Sequence, residues 1–120
     1  ASYALDSSRV QINIDTDQVL LSIDTSIPLG LILNELCTNA IKYAFSENCT
    51  GNINISLKYL TAKKLQVLVT DDGIGISEEF DIENAPSFGL QLVQLLSEQI
   101  SAELTIRRRN PTSFSLIIPL

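Results

Sequence analysis

The chain has no histidine at all among its 120 residues. That absence removes histidine-dependent nucleophile triads, most zinc sites and any imidazole proton shuttle. Cysteine is scarce too. Cys37 and Cys49 form no metal-binding spacing, so a reduced, intracellular setting is the simpler reading. Basic residues are outnumbered, eight against 14 acidic, for a formal net charge of −6. A nucleic-acid binder would carry a basic footprint, so that class is excluded. The short run at 107–109 reads as a solvated strand end or hairpin. No apolar run reaches membrane-spanning length and no signal-peptide pattern opens the chain, so no membrane contact is expected. An acidic domain that holds a polyphosphate needs a divalent cation to screen the charges.

Hydrophobic content of 45% predicts an ordered globular chain, and its length suits one domain, 1–120, with a single core. Ala1 in place of Met is consistent with a fragment of something longer.

The stretch 26–45, SIPLGLILNELCTNAIKYAF, predicts a long helix. Ser26 is placed as N-cap and Pro28 in the first turn, where a missing N–H is harmless. At about 100° per residue, Leu29, Leu33, Leu36, Cys37, Ala40 and Ala44 form a core-facing stripe. Glu35, Asn39 and Lys42 are placed on the opposite side. Two asparagines, Asn34 and Asn39, are unusual in a helix because their side chains compete for backbone bonds.

Alternation at Val10, Ile12 and Ile14, and again at Val19, Leu21 and Ile23, predicts two short strands, with a turn at Asp15-Thr16-Asp17. A second hairpin is expected from Ile53, Ile55, Leu57 and Tyr59 and then Leu65, Val67 and Val69, around a turn at 61–64. Its second strand delivers Asp71. Residues 77–87 read as an acidic loop, expected to be mobile for want of apolar contacts. A second helix is expected over 88–100, with Leu92, Val93, Leu96 and Ile100 at core spacing. Strands near 103–108 and 113–118 close the chain. Six strands and two helices, with strand pairs flanking helices, suit an α/β two-layer sandwich with the helices on one face of a mixed, mostly antiparallel sheet.

Three segments carry candidate chemistry. Glu35 and Asn39 offer oxygens one helical turn apart, suited to one Mg²⁺ or to a proton acceptor beside it, and Lys42 is a turn further toward a phosphate. In DDGIG, Gly73 and Gly75 allow a sharp bend and close approach of a planar ligand, and the Asp71 carboxylate can accept from an exocyclic amine such as adenine's. Gly89 opens the second helix, where free N–H groups suit phosphate oxygens.

NELCTNAIKYAF, VTDDGIGI and SFGLQLV, in that order, resemble the N, G1 and G2 boxes of the GHKL (Bergerat) ATP-binding fold, and the resemblance covers about 10–119. It is nearest to the catalytic domain of two-component sensor histidine kinases, in a short-lid subgroup. It implies a cytoplasmic, ATP- and Mg²⁺-binding enzyme domain that donates the γ-phosphate to a histidine on a separate dimerisation domain. It also implies a response regulator as partner of the full-length protein. By position, Asn39 would be the Mg²⁺ ligand and Glu35 would assist the metal or act as catalytic base. Lys42 and Tyr43 would lie beside the phosphates. Asp71, Gly73, Gly75 and Ile76 would form the adenine pocket with Thr112, residues 77–87 would be the lid, and Phe88, Gly89 and Leu90 would close it. Ser87, Pro111 and Ser101-Ala102 stand where the family commonly has glycine. Lacking histidine, the chain cannot phosphorylate itself on that residue. The alternatives are a hydrolase, a serine-kinase anti-sigma-factor relative, or a nucleotide-dependent protein-binding module.

Overall fold

The computed structural model describes residues 10–44, 50–73, 89–108 and 111–120. Five strands run β1 (Val10–Thr16), β2 (Gly51–Thr61), β3 (Lys64–Asp71), β4 (Glu103–Arg107) and β5 (Thr112–Pro119). Two helices, α1 (Ile23–Asn39) and α2 (Leu90–Gln99), pack on each other, and α1 continues into a π-helical turn at Ala40–Ala44. The sheet order is β1-β2-β3-β5-β4. Only β1 with β2 is parallel; the other three pairings are antiparallel. The expected two-layer α/β architecture therefore stands.

Alternation along β3 and β5 explains the layering. Leu65, Val67 and Val69, with Phe114, Leu116 and Ile118 opposite them, are buried, while the intervening residues are half-exposed. The buried face meets Leu29, Ile32, Leu36, Cys37 and Ala40 of the first helix and Leu90, Val93, Leu96 and Ile100 at the second. Cys37 behaves as a small hydrophobe, its thiol pushed up to about 11 by burial. Ile32 lies at the centre of this stripe, fully buried, and the expected set omitted it. Leu92, expected in the core, is 41% exposed. It shares a helix with Val93, whose side chain lies about 100° round the axis and faces the sheet.

The first expected hairpin does not form. Asp15 and Thr16 belong to β1, whose partner is β2 in parallel register, Val10 against Gly51 to Thr16 against Leu57. Parallel neighbours need a crossover, and α1 supplies it. Beyond β1 the chain stays tied to β2, with the Asp17 N–H donating to the Leu57 carbonyl at 2.8 Å. Val19 and Leu21 pack against the core from an irregular connector, whereas Leu20 is 86% exposed. An anchored connector thus reproduces strand-like alternation without a strand partner. Ile23 already starts the helix and Ser22 is its N-cap, not Ser26. Pro28 consequently falls in the second turn, where its missing N–H leaves the Asp24 carbonyl without the usual i→i−4 bond.

Helix α2 ends in a Schellman arrangement. The Ser101 N–H donates to the Glu98 carbonyl at 3.0 Å and the Ala102 N–H to the Ser97 carbonyl at 2.8 Å. Ser101 is thereby held at φ 56°, the one non-glycine residue with positive φ among those described.

Candidate functional site

Asp71 closes β3 on its buried face, 6% exposed. Its register partner on β5 is Thr112, 4% exposed. Two polar side chains at the end of a hydrophobic sheet are there for a reason other than packing, since burying them costs free energy unless a partner is found. Thr112 Oγ1 donates to the Arg108 carbonyl at 2.9 Å. Asp71 Oδ1 accepts from the Gly73 N–H at 3.0 Å, which turns the chain directly after the strand. Burial holds the Asp71 carboxyl above its ordinary value, and the Asp72 charge adds to this while the Gly73 N–H opposes it.

The second cluster lies where α1 meets α2. Glu35 and Asn39 are half-buried one turn apart, flanking the core stripe rather than opposing it. Gly89, the residue before α2, sits at φ 67°. A Cβ there would run into the Glu35 carboxylate, coming 3.1 Å from Cδ and in closer conflict with Oε2, and 3.7 Å from Asn39 Nδ2. Only glycine admits both the backbone conformation and the close approach. Asn39 Nδ2 is buried and has no hydrogen-bond partner among the described residues. An orphaned polar atom beside a carboxylate and the open N–H groups of a helix start is suited to a polar ligand.

Lys42 is exposed in the π-helical turn that follows Asn39. Such turns recur at functional sites because they re-aim the side chains beyond them. Tyr43 lies on the same turn. Leu90 gives its side chain to the core, 4% exposed, leaving its main chain at the helix start. Gly75, Ile76 and Phe88, and the loop 77–87, lie outside the described residues. The structure therefore brings Glu35, Asn39 and Gly89 together, and Asp71, Gly73 and Thr112 together. No cluster of three or more His, Cys, Asp or Glu suited to a metal is found among the described residues. A cation here would depend on ligand oxygens as well as on Glu35 and the Asn39 amide, which can present its oxygen by a half-turn about χ2. The residues fit a metal held jointly with a phosphate.

The sequence reading overlooked the role of Asp72 and Asn52. The Asn52 main-chain N–H donates to Asp72 Oδ1 at 2.8 Å and its Nδ2 to Asp72 Oδ2 at 3.3 Å. The Asp-Asp doublet was the available signal, but only the strand register shows what the second member touches.

A mixed five-stranded sheet with two helices packed on one face is the α/β fold of the Bergerat ATPases, and comparison with known proteins agrees. The chain belongs to the histidine kinase-, DNA gyrase B- and HSP90-like ATPase family, whose match spans residues 24–120. Blue-light-activated histidine kinase 2 of Erythrobacter litoralis is 32% identical over 112 residues, covering 92% of this chain and 32% of that protein. Sensor histidine kinase PdtaS of Mycobacterium tuberculosis is 33% identical over 115 residues, covering 92% of this chain and 23% of the relative. The chain thus spans a third or less of these curated relatives. The solved histidine kinase domain of E. litoralis EL346 superposes with a TM-score of 0.86 at 30% identity, over 98% of this chain and 56% of that one. Within the family the likeness is to histidine kinases, and the serine-kinase or binding-module alternative is not favoured. No helix among the described residues is long and apolar enough to cross a membrane.

Proposed function

We propose that this domain binds Mg·ATP and presents its γ-phosphate to a histidine on a separate helical dimerisation domain, as the catalytic part of a cytoplasmic two-component sensor kinase. The observation that supports the reading is the pair of polar clusters, buried Asp71 with Thr112 at the end of β3, and Glu35 with the unpartnered Asn39 amide against Gly89. Asp71, buried and fixed by Gly73, accepts from the adenine amine, with Thr112 beside it and Gly73 turning the chain at the edge of the pocket. Asn39 and Glu35 hold the magnesium with the triphosphate, and the ion supplies screening of phosphate charge. Lys42 follows Asn39 on the side of the phosphates, and Gly89 and Leu90 bring the free N–H groups of the α2 start to the anion. Transfer then rests on positioning and charge neutralisation, with Glu35 available as base toward the incoming imidazole. A response regulator would take the phosphoryl group from that histidine.

The test is phosphotransfer from γ-labelled ATP. The chain alone should acquire no phosphohistidine. A full-length kinase carrying this domain should gain acid-labile, base-stable label and lose it with Asn39→Ala. Label that persists in Asn39→Ala would refute the assignment of that residue. Rapid release of inorganic phosphate by the isolated chain would favour a hydrolase instead.

A further inference from the structure

Asp72 is assigned no role by the reading above, yet this exposed residue next to Asp71 is tied to Asn52 across the sheet. Side chains alternate across a strand, so with Asp71 turned into the core, Asp72 emerges on the far face of the sheet. There Asn52 meets it in continued register, since Ile53 stands opposite Asp71. Three hydrogen bonds join the two residues. The Asn52 N–H donates to Asp72 Oδ1 at 2.8 Å, Asn52 Nδ2 donates to Oδ2 at 3.3 Å, and the Asp72 N–H donates to the Asn52 carbonyl at 3.3 Å. Asn13 of β1 completes the set, its Nδ2 donating to Asn52 Oδ1 at 3.5 Å and to Asn54 Oδ1 at 3.0 Å. That contact turns the oxygen of the Asn52 amide toward β1 and its NH₂ toward Asp72. The polar far face of β1 and β2 thus clamps the one peptide that follows Asp71.

We propose that Asp72 is a positioning residue, pinned to Asn52 behind the sheet so that the Asp71 carboxylate is held in register for the amine of an adenine base. The inference rests on the nucleotide reading above and assigns base selectivity to a clamp on the opposite face. Asp71 is restrained from two directions. Gly73 fixes one carboxylate oxygen, and Asp72 fixes the main chain from the opposite face of the sheet. A bond to a charged acceptor is sharply directional, and a shift of a few tenths of an ångström weakens it. Loosening the clamp therefore reduces the preference for a base that donates an amine. A general loss of stability would weaken all nucleotides alike.

The experiment measures dissociation constants of ADP and inosine diphosphate, which lacks the exocyclic amine, for the wild-type chain, Asp72→Ala and Asp72→Asn. The wild type should prefer ADP. Asp72→Ala should weaken ADP by about tenfold and inosine diphosphate by much less, because one well-placed hydrogen bond is worth about that factor. Asp72→Asn keeps an oxygen for the Asn52 N–H and should retain most of the preference. An unchanged ratio in Asp72→Ala overturns the clamp. An equal loss in Asp72→Asn does so as well, since the charge would then matter and the pin would not. Should Asp72→Ala fail to fold, Asn52→Ala removes the Nδ2 bond to Asp72 together with the Asn13 contact on Asn52 Oδ1 and leaves the main-chain bonds, and a lowered or unchanged ratio decides in the same sense. A wild-type chain that binds neither nucleotide overturns the nucleotide reading itself, an outcome distinct from failure of the clamp alone.

Discussion

Replacing Gly89 by alanine tests whether the glycine that precedes α2 and the Glu35 carboxylate on α1 meet as the structure places them. At φ 67°, an alanine suffers the left-handed penalty of about 1 kcal/mol. Its Cβ also displaces the Glu35 carboxylate, which lies 3.1 Å away at Cδ and nearer at Oε2. Glu35 is half-buried, so pushing it aside adds roughly 1 kcal/mol of lost contacts and strain. Gly89→Ala should therefore cost about 2 kcal/mol in a wild-type background and about 1 kcal/mol in Glu35→Ala, where the carboxylate is gone. Denaturant unfolding of the four proteins in the cycle reads the difference as a coupling of about 1 kcal/mol, above the 0.3–0.5 kcal/mol within which distant sites add. Additivity within that limit would refute the contact, and with it the claim that α1 and α2 build one wall of the site.

Asp71→Asn should stabilise the ligand-free chain at neutral pH while removing ADP binding. Burial raises the native carboxyl, so the folded state binds the proton more tightly and stability falls as pH rises from the ordinary carboxylate range to the raised native value. The gain from asparagine should vanish below that window; urea midpoints from acid to neutral pH check it. Ser101→Gly should raise stability by about 1 kcal/mol, because the Schellman geometry at the end of α2 forces φ 56° there; an unchanged melting temperature would contradict it. Cys37, buried and held near 11, should resist alkylation at mildly alkaline pH until the chain unfolds, as peptide mapping would show.

Much of this was legible in the sequence, for physical reasons that also explain the misses. Strands β2, β3 and β5 announce themselves because one face is buried, and period-two alternation then has no rival. Residues 19–23 carry the same alternation without a strand, since Val19 and Leu21 reach the core from a connector and Ile23, 71% exposed, opens a helix. Pattern alone does not tell an anchored loop from an edge strand. The parallel pairing of β1 depends on a crossover through α1, and no local signal encodes it. Asn39 was expected on a face turned from the core, yet its Nδ2 is buried. On a wheel it borders the apolar stripe, and Gly89 at the start of α2 approaches it. Asp71 was found because a carboxylate before a glycine turn is conspicuous. Asp72 was passed over because its meaning lies in Asn52, twenty residues away across the sheet.

In the proposed function, Asp71 and Asn39 mark the two ends of a nucleotide site. Calorimetric titration of the chain with ADP and a non-hydrolysable ATP analogue, with and without Mg²⁺, tests it most directly when run beside Asp71→Asn. Binding should be saturable, weaken when the metal is chelated and be abolished in the variant. Absence of binding at millimolar nucleotide, or undiminished binding in Asp71→Asn, would contradict it.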